Sequence, residues 1–427
     1  MQNQRHSIRF IEENCIGCVT CIRACPTKAI RVIDGKARVK YDRCVDCGEC
    51  FRLCPHQAIA SDTTSYADLE KFDCTIALPS PVLYSQFNPD VLPNQILLAL
   101  KKIGFDEVFD EAWDCEVTTD AMQEYLDKAQ GPFPKISTTC PVVVRLIAML
   151  YPNLIKNLVK LEIPRESAAK KFREKAAKSR GIPPEKIGVL HITPCPAKMI
   201  SINVPVGLEK SNLDGAIAIR DIYGRLLNAL KDLEEDVILQ LSSGIGIAWA
   251  ISGGEIMGLR EENCLAVSGV QDVMQVLNDE EAGKLKDIVF LECLICPDGC
   301  IGGSLTVQNR HLARRNIGRL IKMFGEHTRV SRDMVMRLYR QGYFNLDKEI
   351  APMPLPPLDP DRAKAIRKVK QRDEILKRLP GKNCSACGTP DCKTLAEDIV
   401  LGQATIDRCV FLTISKNGLK SNGISLS

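Results

Sequence analysis

The chain has 427 residues, more than one ordinary core requires, and its 57 basic against 53 acidic residues leave a formal charge of only +4. That balance supplies no single-signed field for nucleic acid or an anionic membrane surface, and no run of about 18 apolar residues offers a membrane span. The polar opening Met1-Gln-Asn-Gln-Arg-His lacks the apolar stretch of a secretory signal, so a cytoplasmic protein with no nucleic-acid or membrane partner is expected.

Cysteine carries the information in this chain. There are twenty, most of them in tight CxxC groups, a usage that fits metal binding in a reducing compartment better than a disulfide scaffold, which is typically small and secreted. In chain order, the first 60 residues hold two copies of one pattern, Cys15-x2-Cys18-x2-Cys21-x3-Cys25-Pro26 and Cys44-x2-Cys47-x2-Cys50-x3-Cys54-Pro55, each followed by a short apolar piece. A 4Fe-4S cube needs four thiolates, and this run supplies three by wrapping while its fourth reaches the neighbouring cluster. Cys15, Cys18, Cys21 and Cys54 are therefore assigned to one cube, and Cys44, Cys47, Cys50 and Cys25 to the other. Zinc has no use for a duplicated, proline-terminated spacing.

From residue 71 to 349 the texture changes. Apolar runs such as Ile187-Gly-Val-Leu-His-Ile192 and Asp287-Ile-Val-Phe-Leu291 alternate with helical stretches, which predicts an α/β domain. The segment Ala351-Pro-Met-Pro-Leu-Pro-Pro-Leu-Asp-Pro360 has five prolines in ten residues and reads as part of a linker over 350–366. Beyond it, residues 367–427 form a small helical domain whose Cys384, Cys387, Cys392 and Cys409 again offer four thiolates. Zinc would accept the same set, although the leading Leu379-Pro-Gly-Lys-Asn-Cys384 resembles a small 4Fe-4S domain of anaerobic electron-transfer proteins.

The amino-terminal segment, 1–70, resembles bacterial two-cluster ferredoxins. The central domain holds four cysteines in three separated loops: Ser137-Thr-Thr-Cys140-Pro141, Thr193-Pro-Cys195-Pro-Ala-Lys198 and Glu292-Cys-Leu-Ile-Cys296-Pro-Asp-Gly-Cys300-Ile-Gly-Gly303. With Gly131-Pro-Phe-Pro134, Tyr151-Pro-Asn-Leu154, Asp214-Gly-Ala-Ile217 and Ser243-Gly-Ile-Gly246, these resemble the iron-only (FeFe) hydrogenases over nearly all of 75–325, in the same order. The resemblance implies a two-lobed H-cluster domain. It would have Cys140, Cys195, Cys296 and Cys300 around a cube, and Cys300 bridging to a two-iron unit with CO and cyanide ligands. Lys198 would donate to a cyanide, and Gly302 and Gly303 would let backbone approach the cluster. Three accessory 4Fe-4S clusters would feed this centre.

The sequence departs from the catalytic pattern beside those ligands. Thr139 stands where fast members of the family have a proton-relaying cysteine, and a hydroxyl is far too weak an acid for that task, whereas a thiol near about 8.5 is usable. Val159 stands where the family's path has a serine. Val143, Thr193 and Leu294 replace a tryptophan and two methionines near the cluster. The helix before the first loop, where the family carries path acids, offers Asp120, Glu124 and Asp127.

These changes resemble the family's sensory branch and imply a hydrogen or redox sensor with low hydrogenase activity. It would handle dihydrogen and protons and meet a redox partner such as ferredoxin. A separate kinase, phosphatase or PAS protein would carry the signal. Two alternatives stay open, a catalytic hydrogenase with a rerouted proton path and an iron-sulfur assembly or scaffold protein without the two-iron unit. Cys74, Cys115 and Cys264 read as core residues, and Cys293 lies outside the loop spacing. His191 reads as a core histidine or one just outside the ligand set. Gly244-x-Gly246 lacks the frame of a dinucleotide loop, and the basic run 165–178 reads as a solvated face.

Overall fold

A computed structural model describes residues 6–234 and 237–416. The ends of the first and last expected domains, 1–5 and 417–427, lie outside the described residues. The chain divides into two compact units. One comprises residues 1–7, 45–48 and 61–354; the other comprises 8–44, 49–60 and 355–427.

The larger unit is built on two parallel sheets. The four-stranded sheet runs in the order Glu107–Val108, Cys74–Pro79, Ile187–Thr193, Gly215–Ala218, with Cys74 opposite Ile187 and Leu190 opposite Gly215. Every residue of Cys74–Pro79 and Ile187–Thr193 is buried, as expected of parallel strands covered on both faces. The three-stranded sheet runs Cys264–Ser268, Phe290–Leu294, Lys135–Ile136, also parallel.

Helices cover both sheets. Glu111–Lys128 starts at Asp110, whose carboxylate accepts from Ala112 N–H and from the Tyr84 hydroxyl at 2.7 Å. Pro141–Leu150 opens with proline at its first position and is apolar almost throughout, so it sits wholly inside up to Met149. Pro164–Arg180 ends on Gly181, whose φ of 66° suits a helix stop. The basic run within that helix is not a simple solvated face. Its first turn is buried, and Phe172 stacks on Phe109 with ring centres 3.7 Å apart. In Gly244–Ala248, a Cβ at Gly246 would run into the Ala112 carbonyl, so this glycine allows helices to touch.

The duplicated cysteine motif, which lies in the smaller unit apart from residues 45–48, shows its repeat in the backbone. The short helices Thr20–Ala24 and Glu49–Leu53 carry Cys21 and Cys50, and the left-handed residues recur as pairs: Gly17 and Asp46, Val19 and Gly48, Lys28 and Gln57. Ile30–Ile33 and Lys36–Val39 form a hairpin around Asp34-Gly35, both at positive φ as its tight turn demands. The carboxyl-terminal part adds helices Arg362–Arg378 and Cys392–Val400, capped by Asp361 and Asp391, around Leu379, Leu395, Ala396 and Cys409. Among the described residues no helix is long and apolar enough to cross a membrane.

Candidate iron-sulfur centre

The three signature loops of the larger unit leave the carboxyl ends of parallel strands, where open α/β sheets gather ligands. Lys135–Ile136 leads to Cys140, Ile187–Thr193 to Cys195, and Phe290–Leu294 to Cys296 and Cys300. Cys140 and Cys296 are buried, Cys195 and Cys300 partly so. Burial pushes the Cys300 thiol up to about 12, against the pull of Lys198 and with Cys195, Cys140 and Glu255 adding repulsion, so these groups share one neighbourhood. Burial also raises Cys140, although the backbone N–H groups of Ile295 and Val143 point at its sulfur. Dry, crowded thiols of this kind ionise only when a cation takes the proton's place.

Lys198 is buried, its carbonyl accepts from the Ser201 hydroxyl at 2.8 Å, and among the described residues no hydrogen bond or ion pair is made by its ammonium. A buried ammonium without a partner fits a site built for an anionic ligand. Two buried and two half-buried thiols, N–H groups converging on Cys140 and a buried lysine together fit the group that the sequence implies. Gly302 and Gly303 serve differently from expectation. Cβ atoms there would run into the carbonyls of Pro297 and Pro194, so these glycines let the loops pack on each other.

The positions beside the ligands are where the geometry adds most. Val159 is fully buried among Val117, Met122, Phe290 and Phe344, and its N–H donates to Ile136. Of the expected acids, Glu124 pairs with Lys128 at 2.7 Å and Asp127 with Arg260 at 3.3 Å, while Asp120 is raised by burial. The acids beside Thr139 come from elsewhere. Ser137 donates to Glu255 at 2.6 Å and accepts from Thr139 N–H at 3.2 Å. Burial and the neighbouring Glu292 push Glu255 up to about 8, while the Ser137 and Thr139 side chains pull it back. Glu292 is itself raised by burial despite accepting from Gly253 N–H at 2.8 Å and Glu255 N–H at 3.0 Å. Two buried carboxyls so placed hold a proton between them at neutral pH. Neither is marked in the sequence: Glu292 only opens the third loop, and Glu255 follows Gly253-Gly254 with no ligand spacing to single it out.

His191 is fully buried with Nε2 2.9 Å from Glu111. Burial drives it down to about 4, the Glu111 carboxylate opposes this, and Lys198 and Arg165 add to it. It is a neutral core histidine. Cys74, Cys115 and Cys293 are buried in the core, and Cys264 packs half-buried against it. Gly48, next to Cys47, rests against Ser304 and against Pro196, next to Cys195.

In the smaller unit, Cys15, Cys18, Cys21 and Cys54 line one cavity with Val32 and Ala37. N–H groups point at these sulfurs: Ala37 to Cys15 at 3.3 Å and Ala58 to Cys54 at 3.3 Å. Cys25 receives Ala29 N–H at 3.2 Å in the same way, which repeats the Cys54 contact in the other copy. Cys387, Cys392 and Cys409 meet in the small carboxyl-terminal core, and Cys384 is half-buried at the entry to that loop.

Comparisons with known proteins agree with this geometry. Residues 74–260 and 255–304 match the family model of the iron only hydrogenase large subunit, C-terminal domain. Residues 5–58 match a 4Fe-4S dicluster domain, and 379–411 match a model for an Fe-S cluster. Iron hydrogenase 1 of Clostridium pasteurianum is 23% identical over 266 residues, which cover 51% of this chain and only 46% of that protein. The periplasmic [Fe] hydrogenase large subunit of Nitratidesulfovibrio vulgaris is 26% identical over 363 residues, 70% of this chain and 86% of that one. A solved [FeFe]-hydrogenase chain from Chlamydomonas reinhardtii shares the fold with a TM-score of 0.53 at 16% identity, covering 68% of this chain and 97% of its own. The chain belongs to the iron-only hydrogenase family, as a multi-cluster iron-sulfur protein with a ferredoxin-like amino-terminal segment.

Proposed function

We propose that this protein is a cytoplasmic hydrogen or redox sensor with low hydrogenase activity. Its H-cluster would be held by Cys140, Cys195, Cys296 and Cys300, with Lys198 beside it. Three accessory cubes would sit on the cysteine sets assigned above. In domain terms, 1–70 carries two cubes, 71–349 the H-cluster, 350–366 the linker and 367–427 the last cube. When bound, the two-iron group supplies the centre at which dihydrogen is split or formed. The chain's own residues govern how protons come and go.

The observation that carries this reading is the chain from Thr139 through Ser137 to Glu255, in which Thr139 N–H donates to the Ser137 hydroxyl and that hydroxyl donates to the Glu255 carboxylate. A threonine hydroxyl cannot itself act as an acid near neutral pH, but burial and the neighbouring Glu292 raise the Glu255 carboxyl, one hydroxyl away through Ser137, toward holding its proton there. The Val159 position, packed in apolar side chains, supports no hydrogen-bonded passage. Glu255 and Glu292 thus form a buried proton store beside the ligand loop in place of the family's relay. The loss of a positioned acid-base group typically slows turnover by roughly 10² to 10⁴. Slow chemistry with a complete ligand set suits detection, with a ferredoxin-type partner for electrons and a separate signalling protein for output.

The same Glu255 observation favours one rival, a catalytic hydrogenase whose protons have been rerouted. Hydrogen uptake by the matured protein, compared with Thr139→Cys, separates the two. The sensor reading expects a slow wild type that the cysteine accelerates. A fast wild type that gains nothing from the cysteine would defeat it.

A further inference from the structure

Within the smaller unit, the carboxyl-terminal cysteine segment is held against the first ferredoxin-like repeat by contacts that the reading above leaves unused. Each of its four cysteines stands at or beside a residue that touches the stretch 23–32. Arg23 donates to the Cys384 carbonyl at 2.7 Å. Gly388, next to Cys387, accepts from Val32 N–H at 2.8 Å. Asp391, next to Cys392, pairs with Lys28 at 2.5 Å. Arg408, next to Cys409, donates to the Val32 carbonyl at 2.8 Å.

Behind these contacts lies a buried ion pair. Arg31 and Asp398 are each 3% exposed, with Nε 2.5 Å from one carboxylate oxygen and Nη2 3.2 Å from the other; Lys40 adds a third contact at 2.9 Å. Two charges leave water at a cost that only a fixed geometry offsets, so a loosely tethered domain would not be expected to bury them. Gly388 is left-handed at φ +79°, and a Cβ there would run into the Val32 carbonyl. The contact therefore depends on glycine at that point.

Val32 belongs to both sites. Its side chain lines the cavity of Cys15, Cys18, Cys21 and Cys54, while its N–H and carbonyl are taken by Gly388 and Arg408. One strand residue lies between the two four-cysteine sets.

We infer that the carboxyl-terminal segment is a docked electron relay, whose cluster exchanges single electrons directly with the Cys15, Cys18, Cys21, Cys54 cluster across Val32. Arg31 and Asp398 are positioning residues for that exchange. The inference rests on the reading that both sets hold cubes. In the step one cube loses an electron as the other gains it, with no bond or proton change, and a one-electron redox partner supplies or removes the net electron.

The test uses the full chain with its cubes reconstituted anaerobically and without the two-iron group. It is reduced stepwise with dithionite and followed by electron paramagnetic resonance beside iron and zinc analysis. The wild type should show spin-spin broadening and fast relaxation of the Cys15-set signal as the carboxyl-terminal cube is reduced. Gly388→Val and Asp398→Ala should weaken that coupling with iron content unchanged, and Cys384→Ser should abolish it. Should a variant lose its carboxyl-terminal cube, the wild-type spectrum decides alone. A wild type carrying all its cubes whose spectrum is the plain sum of isolated signals would overturn the inference. Zinc or no metal on the carboxyl-terminal cysteines would overturn the reading beneath it and the inference together.

Discussion

Glu255→Gln tests the proton store most sharply. The amide keeps the size of the side chain and an oxygen for the Ser137 hydroxyl, now 2.6 Å from the carboxylate, but it can neither hold nor release a proton. Burial and the neighbouring Glu292 raise Glu255 to about 8, so its proton is held at neutral pH and given up in the alkaline range. Proton reduction by the matured wild type should therefore be level below pH 8 and fall about tenfold per unit above it. In the glutamine variant the rate should drop by roughly 10² or more and the inflection near pH 8 should disappear. The assay is hydrogen evolution from reduced methyl viologen across pH 6 to 10, normalised to the loaded centre. A glutamine variant with the wild-type rate and the wild-type profile would refute the assignment.

The other expectations concern stability. Asp398→Ala leaves Arg31 buried without its carboxylate and should destabilise the smaller unit by about 3–5 kcal/mol in denaturant titration. Burial would raise Asp398, but the Arg31 bond and charge, with Lys40, hold it below the usual range. Its contribution is therefore complete above about pH 4, the unfolded value, and is lost as pH falls through the lower folded one. His191, kept neutral down to about 4, contributes fully above about 6.5, and that contribution fades as pH drops toward 4. At most about 3 kcal/mol is at stake over that window, so His191→Gln should flatten the acid limb of the larger unit's unfolding curve, and an unchanged limb would contradict this.

What was legible in the sequence was local. Cysteine spacing is set by how a short chain wraps a cube, so the ferredoxin-like repeat appears in the residues and again in the paired left-handed positions Gly17 and Asp46. The buried strand Ile187–Thr193 announces itself as a continuous apolar run. Lys135–Ile136 does not, because two residues carry no period, yet it aims Cys140. The carboxylate partner of Ser137 is hidden for a different reason. Ser137 and Glu255 are 118 positions apart, and Arg31 and Asp398 are 367 apart, so neither contact leaves a periodic or spaced trace. The acids sought on Glu111–Lys128 proved to be surface partners of Lys128 and Arg260 at Glu124 and Asp127, because a helix periodicity does not say which turn faces a distant loop.

Cys140, Cys195, Cys296 and Cys300 are proposed to hold a complete H-cluster. Infrared spectra of the protein produced with the dedicated maturation enzymes test it most directly. Bands from bound CO and cyanide are the predicted result, weakened or lost in Cys300→Ser. A protein matured under those conditions, with its cubes present by iron analysis and no such bands, would contradict the claim and leave the assembly or scaffold reading in its place.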